Sequence, residues 1–145
     1  MTIDIIEEEK LSIEEILPLL IKFDILFIPR LSESININDY ACKLHNHASF
    51  IFAKRDETTL GFIAFYRNTE AHQLYITLIA VDTICQHCSI GSRMLQQLVT
   101  HKDEGFTSIA LEVRKNNVNA YNFYKKHGFV EHRIGEIKVL LLKEI

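Results

Sequence analysis

The stretch Val81-Asp-Thr-Ile-Cys85-Gln-His-Cys-Ser89-Ile-Gly91-Ser-Arg-Met-Leu95 decides how this chain is read. The residues ahead of it, 72–81, are an apolar, β-branched run of the kind that forms a buried strand. Behind it, Ile90, Met94, Leu95, Leu98 and Val99 recur at helical spacing and share one face. A strand, a short polar loop and a helix N-terminus together make an anion site. The first backbone N–H groups of the helix lack partners, and the positive end of its dipole points into the turn. Gly91, with the small residues Ser89 and Ser92 near it, lets a phosphate approach closely.

Working outward, the next apolar run, 108–113, is a strand parallel to the first, because a helix connects them. It leads into Asn117-Val-Asn-Ala120-Tyr-Asn-Phe-Tyr124-Lys-Lys-His-Gly128-Phe129, a helix stopped by Gly128. With both blocks in view, the chain resembles the GNAT superfamily of acyl-CoA-dependent N-acetyltransferases. Against the family's loop pattern, V-x-P-x-x-R/Q-G-x-G-x-G/A-x-x-L-L, Val81, Gln86, Gly91 and Leu95 match and Met94 is near. Thr83 replaces the proline, and His87 and Ser89 replace glycines. The later pattern, N-x-x-A-x-x-x-Y-x-x-x-G-F, is met in full by Asn117, Ala120, Tyr124, Gly128 and Phe129.

The rest of the chain fits one layered α/β domain spanning residues 1–145. A short edge strand is expected over 2–8. Ser12 and Glu15 have the form of a capping box for a helix carrying Ile13, Ile16, Leu17 and Leu20, with Pro18 as a kink or re-start. Residues 27–38 read as a loop, and Asn38 as the cap of a second helix with Tyr40, Leu44, His47 and Ala48 inward. Runs at 49–55, 60–67 and 72–81, with short polar links, form antiparallel hairpins. Two last strands are expected near 129–132 and 136–142. The resemblance implies a mixed, mostly antiparallel central sheet flanked by about four helices, its central parallel pair splayed for the cofactor.

Composition sets limits on function. The chain has 145 residues, 48% hydrophobic and 24% charged, which suits a single soluble core. Sixteen basic against nineteen acidic residues give a net charge of -3 with no basic run, so no nucleic-acid partner is expected. No apolar stretch reaches membrane-spanning length and the N-terminus lacks a signal-peptide pattern, which predicts a cytoplasmic protein with no membrane partner. Three cysteines fit a reducing compartment. Cys85-Gln-His-Cys88 is a zinc half-site in form, but no second pair of ligands accompanies it. A buried, structural role and no bound metal are expected.

The resemblance also implies roles for residues. Acetyl-CoA would be the co-substrate, held at its pyrophosphate by the backbone around Gln86, Ser89, Gly91 and Ser92, beside Val81. Asn117 would meet the pantetheine arm, and the backbone N–H of Leu78 or Ile79 the carbonyl oxygen. Acetyl transfer from a thioester to an amine needs a neutral amine, donors for the tetrahedral oxyanion and a proton for the departing sulfur. Tyr124 would be the general acid. A phenol of ordinary pKa, about 10, is a fitting donor to a thiolate. No carboxylate lies in residues 74–80, so the general base is unassigned among Glu112, His72, Tyr75 and Tyr66. The loop over 27–33 is expected to read the acceptor through Phe27, Arg30 and Ser32, with Tyr75 beside it. The expected activity is acetyl transfer to a primary amine of a small molecule such as an amino sugar. A coenzyme A-binding regulatory module with little turnover and a protein N-acetyltransferase are the alternatives, and a homodimer is allowed.

Overall fold

The computed structural model describes residues 2–85 and 88–145. Among these residues seven strands form one sheet in the order β1-β2-β3-β4-β5-β7-β6. In chain order these are β1 (Asp4–Glu8), α1 (Ile13–Phe23), α2 (Leu31–Ser34), α3 (Ile37–His47), β2 (Ala48–Arg55), β3 (Thr58–Asn68) and β4 (Gln73–Val81). There follow α4 (Ile90–Val99), β5 (Ser108–Arg114), α5 (Val118–Lys126), β6 (Val130–Ile134) and β7 (Lys138–Glu144). Every pairing is antiparallel except β4 with β5.

Each sheet face carries its own core. Ile16, Leu20 and Phe23 of α1 and Ala41 and Leu44 of α3 pack on Phe50, Phe52 and Phe62. Ile90, Met94, Leu95 and Leu98 of α4 and Tyr124 of α5 pack on Ile51, Ile63, Leu111 and Leu141. The Ser12–Glu15 capping box forms as expected, with Glu15 N–H to Ser12 Oγ at 3.2 Å and Ser12 N–H to Glu15 Oε1 at 3.1 Å. The helix then runs through Pro18 without a break.

Some details differ from the sequence reading. The loop expected over 27–38 contains the one-turn α2, so among the described residues five helices flank the sheet. Asn36, not Asn38, caps α3, accepting from Asp39 N–H at 3.0 Å. His47, expected inward, is exposed at the end of α3, while Leu44 and Ala48 are buried. The buried side of α3 is set by Ala41 and Leu44, and His47, at the helix end, is rotated about 120° from Ala41 and so leaves that side.

The feature that positions the site is a bulge in β4. Phe65 pairs with Ile76 but Ala64 pairs with Leu78, leaving Thr77 as the extra residue. One extra residue exchanges the faces. Leu74 and Ile76 lie in the α4–α5 core, whereas Leu78 and Ala80 lie in the α1–α3 core. The parallel pairing of β4 and β5 covers only Gln73–Ser108, Leu74–Ile109 and Tyr75–Ala110. Beyond Tyr75 the two strands part, and a gap opens through the sheet.

Candidate functional site

On the α4–α5 side this gap leads into a groove of about 540 Å³. Its walls include Ile79 and Val81 of β4, Ser89 to Ser92 at the start of α4, and Asn117, Ala120, Phe123, Tyr124 and His127 around α5. Leu26 and Ile28 reach it from the α1–α2 connection. The first helical bond of α4 runs from Arg93 N–H to Ser89 O, so the amides of Ile90, Gly91 and Ser92 precede the ladder. With the helix dipole they favour a negative charge. Among the described lining residues there is no carboxylate, and Lys126 is a cation. A second groove, about 590 Å³ between α1 and the β2–β3 hairpin, carries Glu8, Glu15 and Glu57 against Lys22 and Lys54. That mixed lining suits an anion less well than the smaller groove.

Local packing explains the shape of the α4 end. A Cβ on Gly91 would come within 2.9 Å of Phe123 Cζ, so only glycine lets the α5 ring lie against the first turn of α4. Ser89 is in the left-handed region, φ 59° and ψ 25°, and its side chain makes no capping bond. This is the conformation that a glycine at that loop position supplies without strain. His127 Nδ1 lies 2.8 Å from Phe123 O and therefore donates to it; in the neutral ring Nε2 then accepts from Ser92 Oγ at 2.6 Å. Ser92 thus spends its proton on α5, and Ser89 keeps the freer hydroxyl.

The phase of β4 aims its amides. Asp82 N–H bonds Leu60 O at 2.7 Å on β3, so by alternation Leu78 and Ala80 also point their amides at β3. Ile79 and Val81 point theirs into the gap. Leu78 turns its side chain to the α1–α3 core and does not line the groove. Tyr124 is buried against Phe123 and Phe129, ring centroids 5.4 and 5.6 Å away. Burial raises its pKa, which keeps the phenol protonated. Asn117 caps α5, accepting from Ala120 N–H at 3.4 Å, and lines the groove. Gln86 falls outside the described residues.

Through the gap, on the α1–α3 side, lies a cluster of tyrosines. Tyr66 and Tyr75 stack with centroids 6.4 Å apart and planes 7° from parallel. Tyr75 Oη–H donates to Glu112 Oε1 at 3.1 Å, and Tyr40 Oη bonds Thr77 Oγ1 at the bulge. Burial, then the charge of Glu112, pushes the Tyr75 phenol up to about 12. Lys43 Nζ sits 5.6 Å from the centre of the Tyr66 ring, so this face already accommodates an ammonium. Of the residues expected to read the acceptor, Tyr75 joins this cluster. Phe27 packs on the α1–α3 core, and Arg30 is exposed with Glu33 at 3.9 Å. Ser32 clamps Asp24 through its hydroxyl and its amide, each at 2.7 Å, holding that carboxyl below its ordinary pKa. His72 precedes the paired end of β4, away from the gap.

Sequence reading missed the Ser92–His127 tie, Leu26 and Ile28 in the groove, and the Tyr40–Thr77 contact. None of these leaves a spacing pattern in the sequence, Ser92 and His127 being 35 positions apart.

The sequence matches the model of the acetyltransferase (GNAT) family over residues 14–129. The chain belongs to the GNAT acetyltransferase family. Among curated proteins, none matches this acetyltransferase in sequence. Solved GNAT structures share its fold. The PaiA N-acetyltransferase of Thermoplasma acidophilum, in complex with coenzyme A, is 20% identical over 100% of both chains, TM-score 0.73. The ribosomal-protein-S18-alanine N-acetyltransferase of Escherichia coli is 17% identical, covering 99% of this chain and 94% of that one, TM-score 0.77. A GNAT family acetyltransferase of Elizabethkingia anophelis with acetyl-CoA bound is 17% identical over 99% and 98%, TM-score 0.72. Among the described residues of this acetyltransferase, no helix is long and apolar enough to cross a membrane, and no three His, Cys, Asp or Glu converge as metal ligands.

Proposed function

We infer that this GNAT acetyltransferase moves an acetyl group from acetyl-CoA to a primary amine of a small molecule. The observation that carries the reading is the gap between β4 and β5, with an anion-binding helix end and a buried phenol on one side and a tyrosine–glutamate cluster on the other. Acetyl-CoA fits the first side. The amides of Ile90, Gly91 and Ser92, with the Ser89 hydroxyl, would hold its pyrophosphate, and Asn117 its amide-bearing arm. The Ile79 amide points to where a thioester oxygen gathers negative charge. Tyr124, kept neutral by burial, would give its proton to the leaving sulfur.

The acceptor would come from the opposite face, its ammonium against the Tyr66 and Tyr75 rings. Tyr75 is too weak an acid to be ionised near neutral pH, and His72 is at the wrong end of β4. Glu112 is therefore the carboxylate best placed to receive the amine's proton. The half-buried tyrosine cluster under α3 suits a small amine better than a folded protein surface.

The test is amine-dependent thiol release from acetyl-CoA across a panel of amino sugars, polyamines, amino acid derivatives and peptide N-termini. Turnover is expected with small amines. Turnover confined to peptide N-termini overturns the acceptor class. Binding of acetyl-CoA without turnover on any amine makes the protein a coenzyme A-binding module.

A further inference from the structure

We propose that Ser92 and His127 form a nucleophile–base pair that cleaves short-chain carboxylic esters, a second activity beside amine acetylation. The inference does not rest on the acetyl-CoA reading. Ser92 Oγ lies 2.6 Å from His127 Nε2, and His127 Nδ1–H donates to Phe123 O at 2.8 Å. The neutral ring is therefore held in the tautomer whose Nε2 lone pair faces the serine hydroxyl. The Phe123 ring packs on it, centroids 4.4 Å apart, and Lys143 Nζ donates to the His127 carbonyl at 2.7 Å. A hydroxyl, a base within bonding reach and a third group that orients the base are the parts of an activated serine nucleophile. Here a backbone carbonyl stands where a carboxylate often does. Both residues are half-buried, so a ligand can reach the pair.

The surroundings name the substrate. Beside the pair lies a cavity of about 290 Å³, walled by Leu95, Val99, Ile109 and Phe129. It is apolar and smaller than the roughly 300–1,000 Å³ of pockets for drug-sized ligands, which suits a short acyl chain. Among the described residues, Ser92 and His127 alone line both this cavity and the groove between β4, α4 and α5. An ester carbonyl at Ser92 Oγ would set its acyl chain in the cavity and its alcohol in the groove. The Ser92 amide precedes the α4 hydrogen-bond ladder, at the positive end of the helix dipole, where an oxyanion is favoured.

In the first step His127 Nε2 takes the hydroxyl proton as Ser92 Oγ attacks the carbonyl carbon. The tetrahedral oxyanion collapses, the bond to the alcohol oxygen breaks, and the alcohol leaves with the proton from Nε2. In the second step water gives a proton to Nε2 and attacks the acyl carbon. Ser92 Oγ leaves with that proton, and a carboxylic acid is released. While Nε2 is protonated the ring is a cation, and the Phe123 carbonyl on its other nitrogen stabilises it.

The experiment follows p-nitrophenolate release from p-nitrophenyl acetate and butyrate, without coenzyme A, and locates adducts by peptide mass after an acid quench. The wild type is expected to turn over both esters with a burst and to carry the acyl group on Ser92. Phenylmethylsulfonyl fluoride should label Ser92 and stop turnover. His127→Gln should lower the rate by about 10²–10⁴-fold. Ser92→Ala, which suits a helix, should keep the circular dichroism of the wild type and lose both burst and adduct. Hydrolysis by the wild type no faster than by Ser92→Ala, or acyl groups found only on lysines, overturns the proposal. Should Ser92→Ala fail to fold, the wild type decides alone, and turnover with neither an acyl nor a sulfonyl group on Ser92 overturns it. Equal rates on p-nitrophenyl palmitate and butyrate overturn the cavity as the acyl site.

Discussion

Replacing Ser89 by glycine should move stability and cofactor affinity in opposite directions. Ser89 holds φ 59° and ψ 25°, a region that costs an L-residue about 1–2 kcal/mol. Glycine removes that cost but adds unfolded-state freedom worth about 0.4–1 kcal/mol. Because Ser89 makes no capping bond to α4, no hydrogen bond within the helix is lost. The net expectation is a gain of about 0.5–1 kcal/mol, read as a higher urea midpoint at unchanged slope. Affinity should go the other way. With Ser92 committed to His127 at 2.6 Å, Ser89 offers the hydroxyl free to meet a phosphate oxygen. Losing a hydrogen bond to a charged group costs about 1.5–3 kcal/mol, so acetyl-CoA should bind at least about tenfold more weakly by titration calorimetry. Lower stability with unchanged slope would refute the left-handed strain. Tighter binding by the glycine variant would mean that Ser89 only obstructs the loop.

Tyr124→Phe should lower kcat and kcat/KM together by about 10²–10⁴-fold while acetyl-CoA affinity holds, and an unchanged kcat under rate-limiting chemistry would remove it from proton transfer. Gly91→Ala should push the Phe123 ring, 2.9 Å from the new Cβ, into the groove. Overpacking of about 1–3 kcal/mol against about 1 kcal/mol of helix gain leaves a net loss of about 0–2 kcal/mol and weaker acetyl-CoA binding, checked by denaturation and calorimetry. In an alkaline titration followed by tyrosine absorbance, Tyr75 should ionise near 12 and Tyr124 above its ordinary value. The folded state thus holds these protons more tightly than the unfolded chain. The resulting stability is complete below about pH 10 and is lost as pH rises towards 12, and phenolate signals all appearing near pH 10 in the folded protein would contradict this.

The sequence was most legible where one residue type answers one local demand. The capping box at Ser12 and Glu15 and the Gly128 stop at positive φ are demands of this kind. Seven strands and the parallel crossover followed from runs and connections of ordinary length. The bulge at Thr77 was not legible. Residues 74–80 are apolar almost throughout, and a run without alternation hides a change of face. That bulge decides which core receives Leu78 and which amide, Ile79, points into the gap. Ser32 was misleading for a related reason. A serine in a loop looks available for a ligand, yet its hydroxyl holds Asp24 and pins α2 in place. Long-range pairings such as Ser92 with His127 lie 35 positions apart and leave no spacing pattern to find.

The central claim is that acetyl-CoA occupies the groove between β4, α4 and α5. Backbone amide shifts followed by NMR during titration with acetyl-CoA test it most directly. Large saturating shifts are predicted at Ile79, Ile90, Gly91, Ser92, Ala120 and Tyr124, with none at Lys22, Lys54 or Thr59 in the other groove. Shifts confined to the α1–β2–β3 groove, or none at all with millimolar ligand, would contradict it.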